Sequence, residues 1–315
     1  MPGRFVTAGD VATLARARAS GFTIDALAGP VAWSDDDVRA TIAAARAGDC
    51  ETIVVDSDHE GERYLAELRR AGFFVTAIDD LASHPFPCQL VVNNDADAEA
   101  LAYRSSSGDT RFLLGPRYAL LGPDFREAPR RHGDPSGPRD VLVVLGGADP
   151  LGLAPALVTA VASLPSVDRV TAVVGPFATH LALVEDAAAR AARPVRVERA
   201  PTAMAVLMAE ATIAVSAAGQ TLYRLARMGC PTIAIQAADN QRGQLAALVA
   251  AGVLEAVTLG RAGDVTPVVV AAARLLDDAR ARASMRSAGR RLVDGQGAVR
   301  AARVMVAALR EVGAR

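Results

Sequence analysis

The sequence predicts an α/β protein made of two Rossmann-like domains, each a parallel sheet with helices on both faces. Three observations carry this expectation. Short β-branched runs alternate with Ala/Arg/Leu-rich stretches of helical length. The alternation is interrupted once, by a proline- and glycine-rich stretch near the middle of the chain. The length of 315 residues suits two domains of about 150 residues each.

In the first half, strands are predicted at 4–7, 22–27, 52–56, 74–78 and 89–93. Between them, 10–19, 34–47 and 61–71 carry apolar residues every three or four positions, the helical period. Ser34-Asp35-Asp36-Asp37 opens the second of these helices with an N-capping hydroxyl and with acids where the helix dipole favours them. Residues 122–140 hold four prolines and three glycines without periodicity and read as the linker. That assigns 1–121 to an N-terminal domain and 141–315 to a C-terminal one, with a cleft between them. In the second half, strands are predicted at 141–145, 169–174, 195–198, 213–216 and 232–236. The helices 155–164, 180–190 and 222–228 lie between them. Residues 264–289 and 298–312 read as helical, and the last helix can pack back on the first domain.

Hydrophobic residues make up 51% and charged residues 22%, a globular balance that excludes a disordered chain. The net charge of −1 gives no broad footprint for nucleic acid or an anionic membrane. All 34 basic residues are Arg, which excludes Schiff-base chemistry and a lysine-based phosphate loop. Cys50, Cys88 and Cys230 are far apart and lie in or beside apolar stretches, so neither a disulfide framework nor a metal spacing follows. The start, MPGRFVTAGD, is not a signal peptide, and Arg or Asp breaks every apolar stretch before it reaches about 20 residues. The expectation is a cytoplasmic chain with no membrane span.

In an open parallel sheet, ligands bind beyond the carboxyl ends of the strands. The strand at 141–145 runs into Gly146-Gly147-Ala148-Asp149-Pro150. A glycine pair there lets backbone amides approach an anion, and a tight strand–helix turn accounts for the same residues without a ligand. Gly175, directly after the strand at 169–174, joins this candidate phosphate set. Ser216-Ala217-Ala218-Gly219-Gln220-Thr221 is a run of mostly small residues before a helix. Its free N–H groups and the Ser216 and Thr221 hydroxyls suit a diphosphate; an ordinary Ser/Gly turn is the plainer alternative. The strand at 232–236 leads into Gln236, Asp239, Asn240 and Gln241, donors and acceptors for a sugar or ribose, or else helix caps.

In the first half, Asp56-Ser57-Asp58-His59-Glu60 follows one strand and Asp79-Asp80 the next. His59 with Asp56 is the candidate general base, since a carboxylate can orient and activate an imidazole; capping of the next helix explains the same residues. Asp79 is a candidate sugar ligand. His84 and His180 have no acid partner nearby in sequence, and His132 falls in the linker, so these three read as loop or surface residues.

Taken in order, several stretches resemble the UDP-sugar hydrolase family of the pseudaminic-acid pathway, part of the glycosyltransferase-B superfamily. They are Val55-Asp56-Ser57, Ile78-Asp79-Asp80-Leu81, Leu114-Gly115-Pro116-Arg117-Tyr118-Ala119-Leu120-Leu121 with Phe125, and Leu145-Gly146-Gly147-Ala148-Asp149-Pro150. Ser216-Ala217-Ala218-Gly219-Gln220-Thr221-Leu222-Tyr223, Asp239-Asn240-Gln241 and Asp294-Gly295-Gln296-Gly297 with Arg300 complete the set. The coverage runs nearly end to end. The resemblance implies a glycosyltransferase-B fold and hydrolysis of UDP-2,4-diacetamido-2,4,6-trideoxy-β-L-altropyranose or a related nucleotide sugar. The second-domain loops would hold the diphosphate, with the sugar toward the first domain. The sequence requires no cofactor and no metal, because amides and helix N-termini can stabilise the leaving diphosphate.

Two departures stand beside these matches. The family opens with a strand, a Gly-x-Gly-His loop carrying its presumed base, and a helix. Here Arg4-Phe5-Val6-Thr7 resembles the family's second strand, so the N-terminal domain is expected to lack its usual first strand and helix. Where the family has a ribose-binding Glu, this chain has Arg224, which donates hydrogen bonds only and can pair with a phosphate instead. A missing central strand would leave two apolar sheet edges unpaired. Three explanations are open: residues upstream of Met1, a strand order closed up around the gap, or a cover supplied by a second copy or a partner enzyme. Three functions are likewise open: hydrolysis or transfer of a nucleotide sugar, a catalytically silent binding or accessory subunit, or an enzyme using a different phosphorylated donor.

Overall fold

The computed structural model describes residues 4–7, 11–19, 21–27, 34–56, 61–127, 137–236, 239, 241–260 and 263–313. The chain forms two compact units. One comprises Met1–Asn93, Ala100–Leu114 and Ala301–Arg315; the other comprises Asn94–Glu99 and Gly115–Arg300.

The first unit contains β1 (Arg4–Thr7), α1 (Val11–Ala19), β2 (Thr23–Ala26), α2 (Asp35–Ala47), β3 (Thr52–Asp56), α3 (Glu62–Arg70), β4 (Phe74–Ile78), β5 (Leu90–Asn93) and β6 (Arg111–Leu114). The β-branched runs at β1, β3 and β4 form strands with the bounds the sequence predicts. Helix α2 starts where the Ser34 Oγ accepts the Asp37 N–H at 3.3 Å, with three acids in its first turn. Val38 and Ala45 of α2 pack with Leu65 and Leu68 of α3 onto Val75, Ala77 and Val91 of the sheet.

Four strands run in the order β3-β4-β5-β6, all parallel, while β1 pairs with β2 in a separate sheet. Among the described residues β1 and β3 make no ladder with each other. Strand β6 is absent from the sequence-based prediction, since Arg111-Phe112-Leu113-Leu114 holds no β-branched residue.

The second unit contains α4 (Pro123–Glu127), β7 (Asp140–Val144), α5 (Ala154–Ala162), β8 (Arg169–Val174), α6 (Leu181–Ala189), β9 (Val195–Arg199), α7 (Met204–Glu210), β10 (Ile213–Ala217), α8 (Thr221–Met228), β11 (Thr232–Ile235), α9 (Gln241–Ala250), β12 (Leu254–Val257), α10 (Thr266–Asp277) and α11 (Ala279–Leu292). Helix α12 (Gly297–Gly313) starts in this unit, and its residues from Ala301 belong to the first. The stretch read as a linker opens as α4, with Phe125 buried in the second unit's core. Residues 128–136, including His132, lie outside the described residues. The stretch at 264–289 divides into two helices at Asp278, whose carboxylate caps α11 by accepting the Ala281 N–H at 2.8 Å.

Its six strands form one parallel sheet in the order β12-β11-β10-β7-β8-β9. Successive residues of β7 feed opposite faces, as a pleated strand requires. Val141 and Val143 pack with Leu157, Val158 and Leu275, while Leu142 and Val144 pack with Met208, Leu222 and Leu225. The order reverses between β7 and β10, the kind of switch point at whose carboxyl-end side open α/β sheets bind ligands.

Candidate functional site

The loop after β7 and the turn after β10 flank this switch point. Gly175 lets the β7 loop and the end of β8 meet: a Cβ there would fall 2.3 Å from the Gly147 carbonyl oxygen and 2.4 Å from that of Gly146. Only glycine fits this approach. Phe177 donates its backbone N–H to the Gly147 carbonyl at 3.0 Å, and its ring, 55% exposed, lies against Gly147.

Asp149, a phosphate-ligand candidate by sequence, is engaged inside the protein. Its carboxylate accepts the Leu153 N–H at 3.2 Å and the Ala154 N–H at 3.0 Å, capping α5, and lies 2.8 Å from His180 Nε2. A buried anion so committed shapes the loop rather than meeting a phosphate. His180 is thus not the isolated surface residue that the sequence suggests. Its acid partner is 31 positions away in the chain, and the two follow the adjacent strands β7 and β8.

Strand β10 runs one residue further than its β-branched run, to Ala217. That places Ser216 inside the sheet, fully buried, with its hydroxyl donating to the Ala217 carbonyl at 3.0 Å. Ser216 is therefore removed from the phosphate set. The turn beyond it is open. Gly219 sits at φ +144°, a conformation that favours glycine, and a Cβ there would meet nothing within 4 Å. Ala218 spends its N–H on the Ile235 carbonyl at 3.0 Å. Among the described residues, nothing accepts the backbone N–H groups of Gly219, Gln220 or Thr221. These are the orphan donors at the start of α8, where the helix dipole favours an anion.

Gln220, Thr221 and Arg224 lie three and four residues apart and share one face of this helical turn. Arg224 is exposed, sits over the Phe125 ring at 5.5 Å, and has no carboxylate partner among the described residues. Desolvation pulls its pKa down from an ordinary value high enough to leave it a cation at neutral pH.

The polar group after β11 meets the same turn. Gln241, the first residue of α9, donates its Nε2 to the Ala218 carbonyl at 3.0 Å. Gln236 donates its backbone N–H to the Val257 carbonyl at 3.3 Å. Asp239 is exposed and pairs with Arg242 at 3.2 Å. Asn240 lies outside the described residues. A position the sequence does not single out, Ala200 after β9, takes φ +43° and donates its N–H to the Val174 carbonyl at 2.9 Å. A non-glycine residue held there marks a constrained loop beside those of β7 and β8.

In the first unit, Asp56 ends β3 and is exposed, and Asp79 follows the adjacent β4. Asp79 Oδ1 accepts the Tyr103 hydroxyl at 2.6 Å and the N–H groups of Leu81 at 3.2 Å and Ala82 at 2.8 Å. Burial, then Asp79 itself, pushes the Tyr103 pKa up, so that hydroxyl stays a donor. This oxygen of the sugar candidate is occupied by turn structure. His59, with Ser57, Asp58 and Glu60, lies outside the described residues.

Two of the ordered motif stretches hold each other rather than a ligand. Asp294 pairs with Arg300 at 2.6 Å, Arg300 donates to the Arg117 carbonyl, and a Cβ at Gly297 would fall 2.3 Å from the Ala119 oxygen. Among the described residues, no group of three or more His, Cys, Asp or Glu side chains could hold a metal ion, and no helix is long and apolar enough to cross a membrane.

No family model matches the chain. The chain is 26% identical over 200 residues to the spore coat polysaccharide biosynthesis protein SpsG of Bacillus subtilis (strain 168). The match covers 63% of this chain and 59% of SpsG, so the chain spans about three fifths of that relative's length. Among solved structures, MurG of Acinetobacter baumannii is similar with a TM-score of 0.65 and 13% identity, over 96% of this chain and 90% of that one. The spinosyn rhamnosyltransferase SpnG, complexed with thymidine diphosphate, is similar with a TM-score of 0.61 and 17% identity, over 92% and 87%. The fold is that of the glycosyltransferase-B structures, with two Rossmann-like domains.

Proposed function

We propose that the chain binds a nucleoside-diphosphate sugar on its second unit and acts on it, by hydrolysis or by transfer of the sugar to a small acceptor. The observation that carries this reading is the open start of α8. Among the described residues, three backbone N–H groups there have no acceptor, and the exposed Arg224 lies on the same turn of α8, which follows the point where the strand order reverses. Such donors stabilise a diphosphate most as it leaves and gains charge, so they serve catalysis as well as binding. In hydrolysis, water adds to the anomeric carbon as the bond to the diphosphate oxygen breaks, and a base takes the water proton. Asp56 with His59 is the candidate base, and His59→Ala with unchanged turnover would reject it.

The ordered resemblance to the pseudaminic-acid-pathway hydrolases favours water as the acceptor and UDP as the leaving group. Similarity to SpsG favours a role in carbohydrate biosynthesis. No cofactor and no metal enters this reading. Arg224 favours a variant of it, in which the donor carries an extra phosphate where ribose hydroxyls would need an acceptor.

The test is thermal stabilisation by UDP, TDP, CDP and GDP, their sugars, and simple sugar phosphates. A ligand at 100 times its dissociation constant should add about 2.7 kcal/mol of stability. Arg224→Ala should weaken the stabilising ligand by roughly tenfold or more, the contribution of one charged hydrogen bond. A chain that none of these compounds stabilises refutes the proposal. A chain that binds a nucleotide sugar and never turns it over supports a silent binding subunit.

A further inference from the structure

The segment Asn94–Glu99 follows β5 of the first unit but belongs to the second. It is seated there by a polar network that also belongs wholly to the second unit. Asp95 Oδ1 accepts Gln244 Nε2 at 2.6 Å, the Tyr223 hydroxyl at 3.3 Å and Asn94 Nδ2 at 3.3 Å. The Tyr223 hydroxyl in turn accepts the Ala96 N–H at 2.9 Å. Asn94 Nδ2 also donates to Gln220 Oε1 at 3.1 Å. Asn94, Gln244 and Tyr223 are buried, and Gln220 is exposed. Burial and the nearby Asp95 charge push the Tyr223 pKa up, which keeps its hydroxyl a donor.

The chemistry of this chain of bonds fixes its direction. An ionised carboxylate only accepts, so the Asn94 group facing Asp95 must be the NH2. That same NH2 faces Gln220, so the Gln220 atom it meets must be the carbonyl oxygen. The Gln220 NH2 takes no part in the network, and Gln220 is itself one of the three residues whose backbone N–H groups are open among the described residues. A Gln is indifferent by itself, because its amide offers a donor or an acceptor at equal steric cost. Here the acceptor end is taken from behind.

We propose that Asn94 is a positioning residue that orients the Gln220 amide, so that the turn before α8 presents one more donor to an anionic ligand and selects diphosphates over uncharged nucleosides. The inference rests on the reading of that turn as a phosphate site. Asn94→Asp is its sharpest test. The new carboxylate accepts only, so Gln220 must flip to donate to it and would then present its carbonyl oxygen to the ligand.

The experiment measures dissociation constants for uridine diphosphate, inorganic pyrophosphate and uridine, on the wild-type chain and the variants. Asn94→Asp is expected to weaken both phosphate ligands by about tenfold or more, with uridine unchanged. In a Gln220→Ala background the same substitution should have little effect, because the group it acts through is gone. Equal loss for uridine and its diphosphate, or an undiminished effect of Asn94→Asp without Gln220, would overturn the inference. So would wild-type affinity in Asn94→Asp. If Asn94→Asp fails to fold, Asn94→Ala serves, with a smaller loss confined to the phosphate ligands expected and wild-type affinity overturning the inference. Failure of the wild-type chain to bind either phosphate ligand would instead refute the phosphate-site reading itself.

Discussion

Each unit contributes six described strands, yet they are joined differently. In the second unit all six form one hydrogen-bonded parallel sheet, and β7, β10 and β11 are buried almost throughout. In the first unit four strands form one sheet and two form another; β5 is buried throughout and β4 nearly so, while β3 and β6 each bury a single residue. Strand β3 is half exposed, and β1 and β2 have no fully buried residue. The apolar Phe5 and Val54 on these strands are 48% and 50% exposed. A two-stranded sheet of four-residue strands is marginal in water. The second unit is therefore the rigid scaffold on which loops can be held to a fraction of an ångström. That is where the described orphan amides of the candidate site are found.

The largest expected contrast comes from two glycines that each follow a strand. Gly175→Ala places a Cβ 2.3–2.6 Å from three backbone atoms of Gly146 and Gly147, which no side-chain rotation relieves. It should destabilise the second unit by roughly 3 kcal/mol or more. Gly61→Ala, at the start of α3 in the first unit, meets nothing within 4 Å and sits at an ordinary φ of −107°. It should cost less than about 1 kcal/mol. Denaturant midpoints of the two variants check the pair. Equal shifts would show that the loops of the second unit are no more tightly fixed than those of the first.

A second contrast concerns opening rather than mutation. Amides of β7 and β10 lie in the middle of a six-stranded ladder and should exchange with solvent only through large-scale opening of their unit. Those of β1 and β2 should exchange at least about a hundredfold faster. Protection of β1 and β2 equal to that of β7 would mean that something covers their edges in solution, such as a second copy of the chain.

The same contrast explains what the sequence discloses. Strands 52–56, 74–78 and 169–174 are legible because their β-branched runs are bounded by turn residues on both sides. Strands β6 and β12 escape because Arg111-Phe112-Leu113-Leu114 holds no β-branched residue and Leu254-Glu255-Ala256-Val257 holds one. The glycine loops and the start of α8 are legible because strand-to-helix transitions are local. The details that decide their chemistry are not local. Ser216 is lost to the site through one extra residue of β10, Asp149 through a histidine 31 positions away, and Gln220 takes its direction from Asn94, 126 positions away. Only packing brings such pairs together, and no spacing rule encodes it.

The cysteines supply the finest probe of the difference between the units. Cys88 of the first unit and Cys230 of the second are both buried, 0% and 4% exposed, and burial pushes both thiols up to about 12. A folded-state pKa above the ordinary 9.0 keeps the thiol neutral in the native state. The associated stability is fully present below pH 9 and is lost as pH rises from there toward 12. At pH 8 neither thiol is a native-state nucleophile, so labelling must pass through opening, and equal intrinsic chemistry makes the rates a direct measure of that opening. The half-buried Cys50 should label first. Cys88 should then label roughly tenfold faster than Cys230 in mild denaturant, because the sheet around it ends in exposed edges while Cys230 sits under a complete one. Mass-resolved labelling of each site settles the order. If Cys230 reacts as fast as Cys88, the division of the first unit's strands into two sheets carries no energetic cost, and the contrast between the units is one of topology alone.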